Sequence, residues 1–285
     1  MTILRDKMIR AMQQRGYSPR TQSCYLAAVV QLSRYFRRSP DALGIGELQR
    51  YCNYLVQERD LAPASCRQQY HGIRFFYLQV LQWPACDLTL VIPKCPQRIP
   101  ALLTRDDVRR ILQACSNDRH RMMLELCYGC GLRVSEVTRL RVSDIDGERS
   151  QLRIEQGKGA RDRIVVLAPT LLQRLRGYWR DHRPRGWLFP RATDAREPIG
   201  VTTPQKAYRA AKRKAGVSRA GGIHGLRHAY ATHMLEHGVP VHQLQRLLGH
   251  RSLQSTLHYL HWLPGEYSGT GTVADLMAGL AVRDD

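Results

Sequence analysis

The sequence predicts a mainly α-helical protein with a small antiparallel β-sheet. It predicts a helical N-terminal domain over residues 1–91, a linker over 92–101, and a mostly helical second domain over 102–285. Three observations lead there. Apolar residues recur at helical spacing through most of the chain. Prolines at 93, 96 and 100 punctuate the run IPKCPQRIP (92–100), where neither a helix nor a central strand can persist. Two segments that alternate with strand period, QLRIE (151–155) and RIVVL (163–167), flank the turn QGKGARD, which is the pattern of a hairpin.

In chain order, Ser18-Pro19 supplies an N-cap followed by proline at the first helical position. Tyr25, Ala28, Val29, Leu32 and Phe36 then mark one face of a helix. A second stripe is Leu48, Tyr51, Cys52 and Leu55. A third follows Pro63, with Tyr70, Ile73, Tyr77, Val80 and Leu81. Thr104-x-x-Asp107 resembles a capping box and opens the second domain. The hairpin tip carries Lys158 between two glycines. Beyond Pro204 the chain is helical again over 208–215, 223–234 and 241–250. Near the C-terminus Val273, Leu276, Met277 and Leu280 form one narrow apolar stripe, expected on a short helix after an extended connection.

Composition restricts the partners. The 285 residues carry a formal charge of +20, and only six of the 44 basic residues are Lys. A GC-rich coding sequence explains an Arg bias but not the net charge. Guanidinium forks match phosphate oxygens, so a nucleic acid is the expected partner. All eight Cys fall between Cys24 and Cys130, mostly at apolar helical positions, as expected of buried free thiols in a reducing compartment. No secretory leader and no membrane-spanning run is apparent. A soluble, cytoplasmic protein is expected.

The segment IHGLRHAYATHM (223–234) concentrates His224, Arg227, His228 and His233 among small apolar residues. Metal ligands, an anion pocket and a solvated face are all consistent with it. The spacing His-x-x-Arg decides nothing, because His71/Arg74 and His182/Arg185 share it. His233-Met-Leu-Glu236-His237 matches the H-x-x-E-H pattern of zinc proteases, but no matching acidic helix follows downstream.

Five features set side by side carry more: Arg133 in GCGLRVSEV, Lys158 in GKG, His224 with Arg227 in HGLRH, His250 in LLGHRS and Tyr259 in LHYLH. In that order, and with the N-terminal string YSPRTQSCY, they resemble the tyrosine recombinase (phage integrase) family over nearly the whole chain. The layout is closest to short Xer-like and integron or transposon integrases. No segment is apparent here for the insertion of integron integrases or the arm-binding domain of lambda-type ones. The resemblance implies a helical core-binding (SAM-like) domain and a tyrosine recombinase catalytic domain that together clamp double-stranded DNA.

It further implies strand exchange at paired sites by a homo-tetramer, through a 3′-phosphotyrosine and a Holliday junction, without metal or other cofactor. Tyr259 would be the nucleophile, with Tyr267 as the competing candidate. Arg133 and Arg227 would bind the non-bridging oxygens, and Lys158 would protonate the leaving 5′-oxygen. His224 and His250 would serve proton transfer and phosphate contact, and Glu136 would orient Arg133. His228, His258 and His261 receive no catalytic role. A type IB topoisomerase and a non-catalytic DNA-binding protein are the rival readings. Target site, direction and accessory proteins are not legible.

Overall fold

In the computed structural model the described residues are 3–84, 101–155, 162–260 and Trp262. The expected linker, apart from Ala101, lies outside them, as do Lys158, Tyr267 and the stripe from Val273 to Leu280. The chain divides into two compact units, residues 1–98 and 99–285.

The first unit is built from α1 (Ile3–Gln14), α2 (Pro19–Phe36), α3 (Ile45–Gln57) and α4 (Pro63–Phe75). Ser18 caps α2 as expected: its Oγ accepts from the Thr21 N–H at 3.2 Å, satisfying one of the free donors of the first turn. The stripes of α2 and α3 become the core, with Ala28, Leu32, Leu48, Tyr51 and Leu55 buried. The third stripe behaves differently. After Phe75 the chain makes a π-turn, Phe76–Val80. This wider turn resets the helical phase, so Phe75, Phe76 and Tyr77 are all buried together while Val80 and Leu81 are only half-buried. The Tyr77 hydroxyl donates to the carbonyl of Pro40, so a polar atom in this core keeps a partner. Helix α1 was not among the expected elements. Its buried contribution is two methionines, Met8 and Met12, a weak stripe in a polar segment.

The second unit runs through α5 (Arg105–Ala114), α6 (Asp118–Gly129) and the short α7 (Val134–Val137). A three-stranded sheet follows, β1 (Ile145–Asp146), β2 (Gln151–Ile154) and β3 (Arg163–Val166), antiparallel in that order. Leu152 pairs with Val165 and Ile154 with Arg163, which makes the expected hairpin. The two-residue β1 is an addition too short to show a period. Then come α8 (Pro169–His182), α9 (Thr202–Lys214), α10 (His224–Glu236), α11 (Val241–Leu248) and α12 (Gln254–Leu260). The capping box at α5 is present, Thr104 Oγ1 accepting from Asp107 N and Asp107 Oδ2 from Thr104 N.

Helix α10 is the axis of this unit. It packs against α5, α6, α11 and α12, and nine of its thirteen residues are buried, including Arg227 and His233. A helix covered on nearly every side has little amphipathic signal, so the small residues Ala229, Ala231 and Thr232 are there to admit neighbours. The fold is therefore mainly helical with a small antiparallel sheet, as the sequence predicts. Among the described residues no helix is long and apolar enough to cross a membrane.

Candidate active site

The site begins in the turn between α6 and α7. Gly131 has φ +60°, and a Cβ there would fall 2.4 Å from the Tyr230 ring, so glycine is required by both conformation and space. The turn aims the Gly131 carbonyl at Arg227, whose Nη1 donates to it at 2.6 Å. Arg227 Nη2 donates to the Leu248 carbonyl, also at 2.6 Å, and lies 3.1 Å from His250 Nε2. The guanidinium is 1% exposed. Burial, then the charge of Arg133, pull its pKa down to about 10, which leaves it a cation at neutral pH. We expect Gly131→Ala to lower unfolding stability by about 2–4 kcal/mol in urea denaturation, from left-handed strain plus overpacking.

Glu136 binds the basic residues together. Its carboxylate accepts from Arg133 twice, from the backbone N–H and from Nη1, both at 2.8 Å. It also takes both ends of the Arg163 guanidinium, at 2.9 and 2.7 Å, and Arg227 Nη1 stands 4.0 Å away. Burial alone would raise this carboxyl, but hydrogen bonds and charge from Arg163 and Arg133 overcome it and hold the pKa at about 2. So Glu136 does orient Arg133, from the N-cap position and first turn of α7. Arg163 is the partner that sequence reasoning misses. It is the first residue of β3, an alternating position that reads as surface, and its Nε also donates to the Leu247 carbonyl at 3.0 Å.

That bond docks β3 on the end of α11. There Gly249 caps the helix at φ +62°, and a Cβ would meet Arg163 Cδ at 2.8 Å. The His250 N–H then returns to the Gln245 carbonyl, setting the ring's position. His250 Nδ1 is 2.9 Å from Thr256 Oγ1, and its ring stacks nearly parallel to Tyr259, 6.2 Å between centroids. Burial first, then the charges of Arg227 and Arg133, push its pKa down to about 4. His224, exposed at the start of α10, is also lowered, by partial desolvation and by Arg227 and Arg133.

Tyr259 on α12 is 4% exposed. Burial raises its hydroxyl above the ordinary phenol value more than Arg227 and Arg133 lower it, so it is protonated at neutral pH. Its Oη lies 3.1 Å from His228 Nδ1. The structure thus gathers Arg133, His224, Arg227, His250 and Tyr259 in one place, and adds Glu136, Arg163 and His228. Chemically this is a fixed cluster of guanidinium cations, the kind of group that matches the oxygens of a tetrahedral anion, bordered by neutral imidazoles and a protonated phenol.

The H-x-x-E-H residues are otherwise engaged. His233 Nδ1 is 3.0 Å from the Tyr128 hydroxyl in the core. Arg105 Nη2 stands 2.8 Å from His237 Nε2, a cation against one of the two would-be ligands. Cys127 and Cys130, the pair flanking this turn, are buried free thiols pushed up to about 12 by burial, which suits packing rather than reactivity.

Comparison with known proteins agrees with this geometry. Residues 101–265 match the Phage integrase family, and residues 4–85 match the phage integrase N-terminal SAM-like domain. The chain is 40% identical to y4qK of Sinorhizobium fredii over 279 residues, covering 97% of this chain and 90% of that protein. It is 36% identical over 169 residues to the tyrosine recombinase XerA of Pyrococcus horikoshii, 59% of each chain. Its fold is similar to that of a lambda integrase (75–356) dimer bound to a core site, with TM-score 0.72 at 20% identity over 89% of this chain and 93% of that one. With matches across both units and a site of this composition, the chain belongs to the phage integrase family of tyrosine recombinases.

Proposed function

We propose that this protein cuts and rejoins double-stranded DNA at paired specific sites, with Tyr259 as the nucleophile. The observation that carries the proposal is the convergence of Arg133, Arg227, His224 and His250 on the neighbourhood of the Tyr259 ring. The phenolic oxygen attacks the scissile phosphorus, the bond to the 5′-oxygen breaks, and a 3′-phosphotyrosyl bond conserves its energy. Arg133 and Arg227 hold the non-bridging oxygens, where charge builds in the transition state and preorganised donors matter most. His224 contacts the phosphate, His250 lies against Arg227 and steadies it, and Lys158 protonates the departing 5′-oxygen. The freed 5′-hydroxyl of a partner duplex reverses the step, and two rounds proceed through a Holliday junction.

The charge of +20 supports DNA as the partner: residues 1–98 carry 14 Lys/Arg against 6 Asp/Glu, and 99–285 carry 30 against 18. The similar lambda integrase fold is recorded on its core site. Two basic domains that clamp a duplex neutralise several phosphates, each adding a slope of roughly −0.9 in log K against log salt. A slope of one or two contacts would contradict the clamp.

The test uses duplexes from the DNA flanking the coding sequence, chosen for inverted repeats around a short spacer and nicked beside the cleavage point. We expect a detergent-stable protein–DNA adduct that forms equally with and without EDTA. Absence of adduct on every such duplex, with binding intact, would refute the cleavage reading.

The assembly in this reading is a cyclic tetramer on two sites, tied by the apolar stripe Val273, Leu276, Met277 and Leu280. The helix expected from that stripe would be short, marginal alone and in need of a surface on which to bury its apolar side. Truncation after Thr272 is expected to spare half-site binding while weakening cooperative filling of full sites in gel shifts. Unchanged cooperativity would overturn exchange of the tail between subunits.

A further inference from the structure

Attack by Tyr259 requires that its proton go somewhere, and the surroundings of the hydroxyl narrow the choice. His250 is the near-parallel neighbour, but both its nitrogens are committed. Arg227 has no lone pair to offer, so Nε2, at 3.1 Å from Arg227 Nη2, must accept from it. Nδ1 then carries the proton and donates to Thr256 Oγ1 at 2.9 Å. This tautomer cannot take a proton without giving up Arg227. His224, one turn earlier on α10, meets the ring of His228 edge-on, 4.6 Å between centroids.

His228 is placed differently. It follows Arg227 on α10, and its Nδ1 lies 3.1 Å from Tyr259 Oη. The indole of Trp262 stands edge-on to both rings, 5.8 Å from His228 and 5.1 Å from Tyr259, fixing the pair in a half-buried apolar wall. Among the described residues, the charged and titratable groups facing His228 are His224 and Arg227 on its own helix and Tyr259 on α12. Burial, then His224 and Arg227, depress its pKa to about 4. The ring is therefore neutral, and in the tautomer protonated at Nε2 the Nδ1 lone pair faces the Tyr259 hydroxyl. A phosphate seated on Arg227 adds a negative charge nearby, which raises the basicity of the imidazole at the moment of attack.

We propose that His228 is a catalytic residue of the cleavage step, accepting the Tyr259 proton on Nδ1 as the phenolic oxygen bonds to phosphorus. The inference rests on Tyr259 being the nucleophile. As the O–P bond forms and the bond to the 5′-oxygen breaks, the phenolic proton passes to His228, and the electron pair leaves with the 5′-oxygen, protonated separately by Lys158. In rejoining, the His228 imidazolium returns the proton to the departing tyrosinate, so the cycle balances.

The experiment follows single-turnover adduct formation on the nicked duplex with His228→Ala and His228→Gln. General-base catalysis contributes about 10²–10⁴-fold, so both variants are expected to slow adduct formation by at least about 100-fold, while half-site binding stays close to the parent and the protein remains folded at the assay temperature. Replacing the scissile 5′-oxygen by sulfur, a leaving group that needs no acid, leaves this defect in place, whereas it rescues Lys158→Ala. Installing the more acidic 3-fluorotyrosine at position 259 partly restores the rate of His228→Ala. A rate within about threefold of the parent, or rescue by the sulfur substrate, overturns the proposal. Adduct formed by Tyr259→Phe overturns the nucleophile reading instead, a separate outcome read in the same assay.

Discussion

Tyr259→Phe is expected to abolish covalent attachment to DNA entirely while half-site binding stays within about threefold. The substitution removes one oxygen and keeps the ring, which is nearly buried against His250 and Trp262. What the fold loses is the contact with His228 Nδ1, a cost of about 1–3 kcal/mol for leaving a partly buried partner unpaired. That is too small to unfold a domain with this core. The chemical loss is not a matter of degree, because no other atom of the ring can form the phosphodiester. A gel resolving adduct from free protein measures the first quantity, and a shift assay on the same duplex the second.

Glu136→Gln has the next largest expected effect, and it acts on both stability and activity. The carboxylate is nearly buried, and it is bonded to Arg133 and Arg163 with Arg227 close by. Breaking a buried ionic network from one side typically costs about 3–5 kcal/mol, since the remaining charges stay desolvated. An amide keeps the shape but cannot accept from Arg163 at both atoms, so Arg133 loses its orientation, and a cleavage rate at least about 10²-fold lower is expected. The pH dependence identifies the cause. Held at about 2 against an ordinary 4.5, Glu136 contributes about 3 kcal/mol above pH 4.5, and this is lost as pH falls from 4.5 toward 2. His228, His233 and His250, depressed to about 4, act in a higher window. They are neutral when folded but become protonated when unfolded, so stability already declines as pH falls from 6.5 to 4. Urea titrations should show both declines in the parent and a distinctly smaller lower one in Glu136→Gln, where Asp106 and Asp107 remain the lowered carboxyls.

What could be read from the sequence follows from what each residue's signal depends on. The stripes of α2 and α3 and the caps at Ser18 and Thr104 are local, and both appear as expected. The π-turn after Phe75 was not legible, because a reset of helical phase leaves the apolar residues in a pattern that still fits an ordinary helix. In α8, Leu171, Leu172, Leu175 and Tyr178 are buried after Pro169, a helical stripe that the sequence also carries. In the site, Arg133 and Arg227 stand out through the strings around them. Arg163 does not, since its importance lies in reaching Glu136, 27 residues earlier in sequence, and the Leu247 carbonyl, 84 residues later. His228 was visible as one more histidine in a histidine-rich helix. Only the packing of α12 on α10 turns it toward the Tyr259 hydroxyl.

Mapping the adduct identifies which residue's oxygen bonds to DNA, Tyr259 or another. Protein trapped on the nicked duplex is digested with trypsin and nuclease, and the nucleotide-bearing peptide is sequenced by mass spectrometry. With Tyr259 as the nucleophile the modification falls on Tyr259, in the peptide that begins at Ser252 after Arg251. Modification of Tyr267 or of any other residue would contradict it.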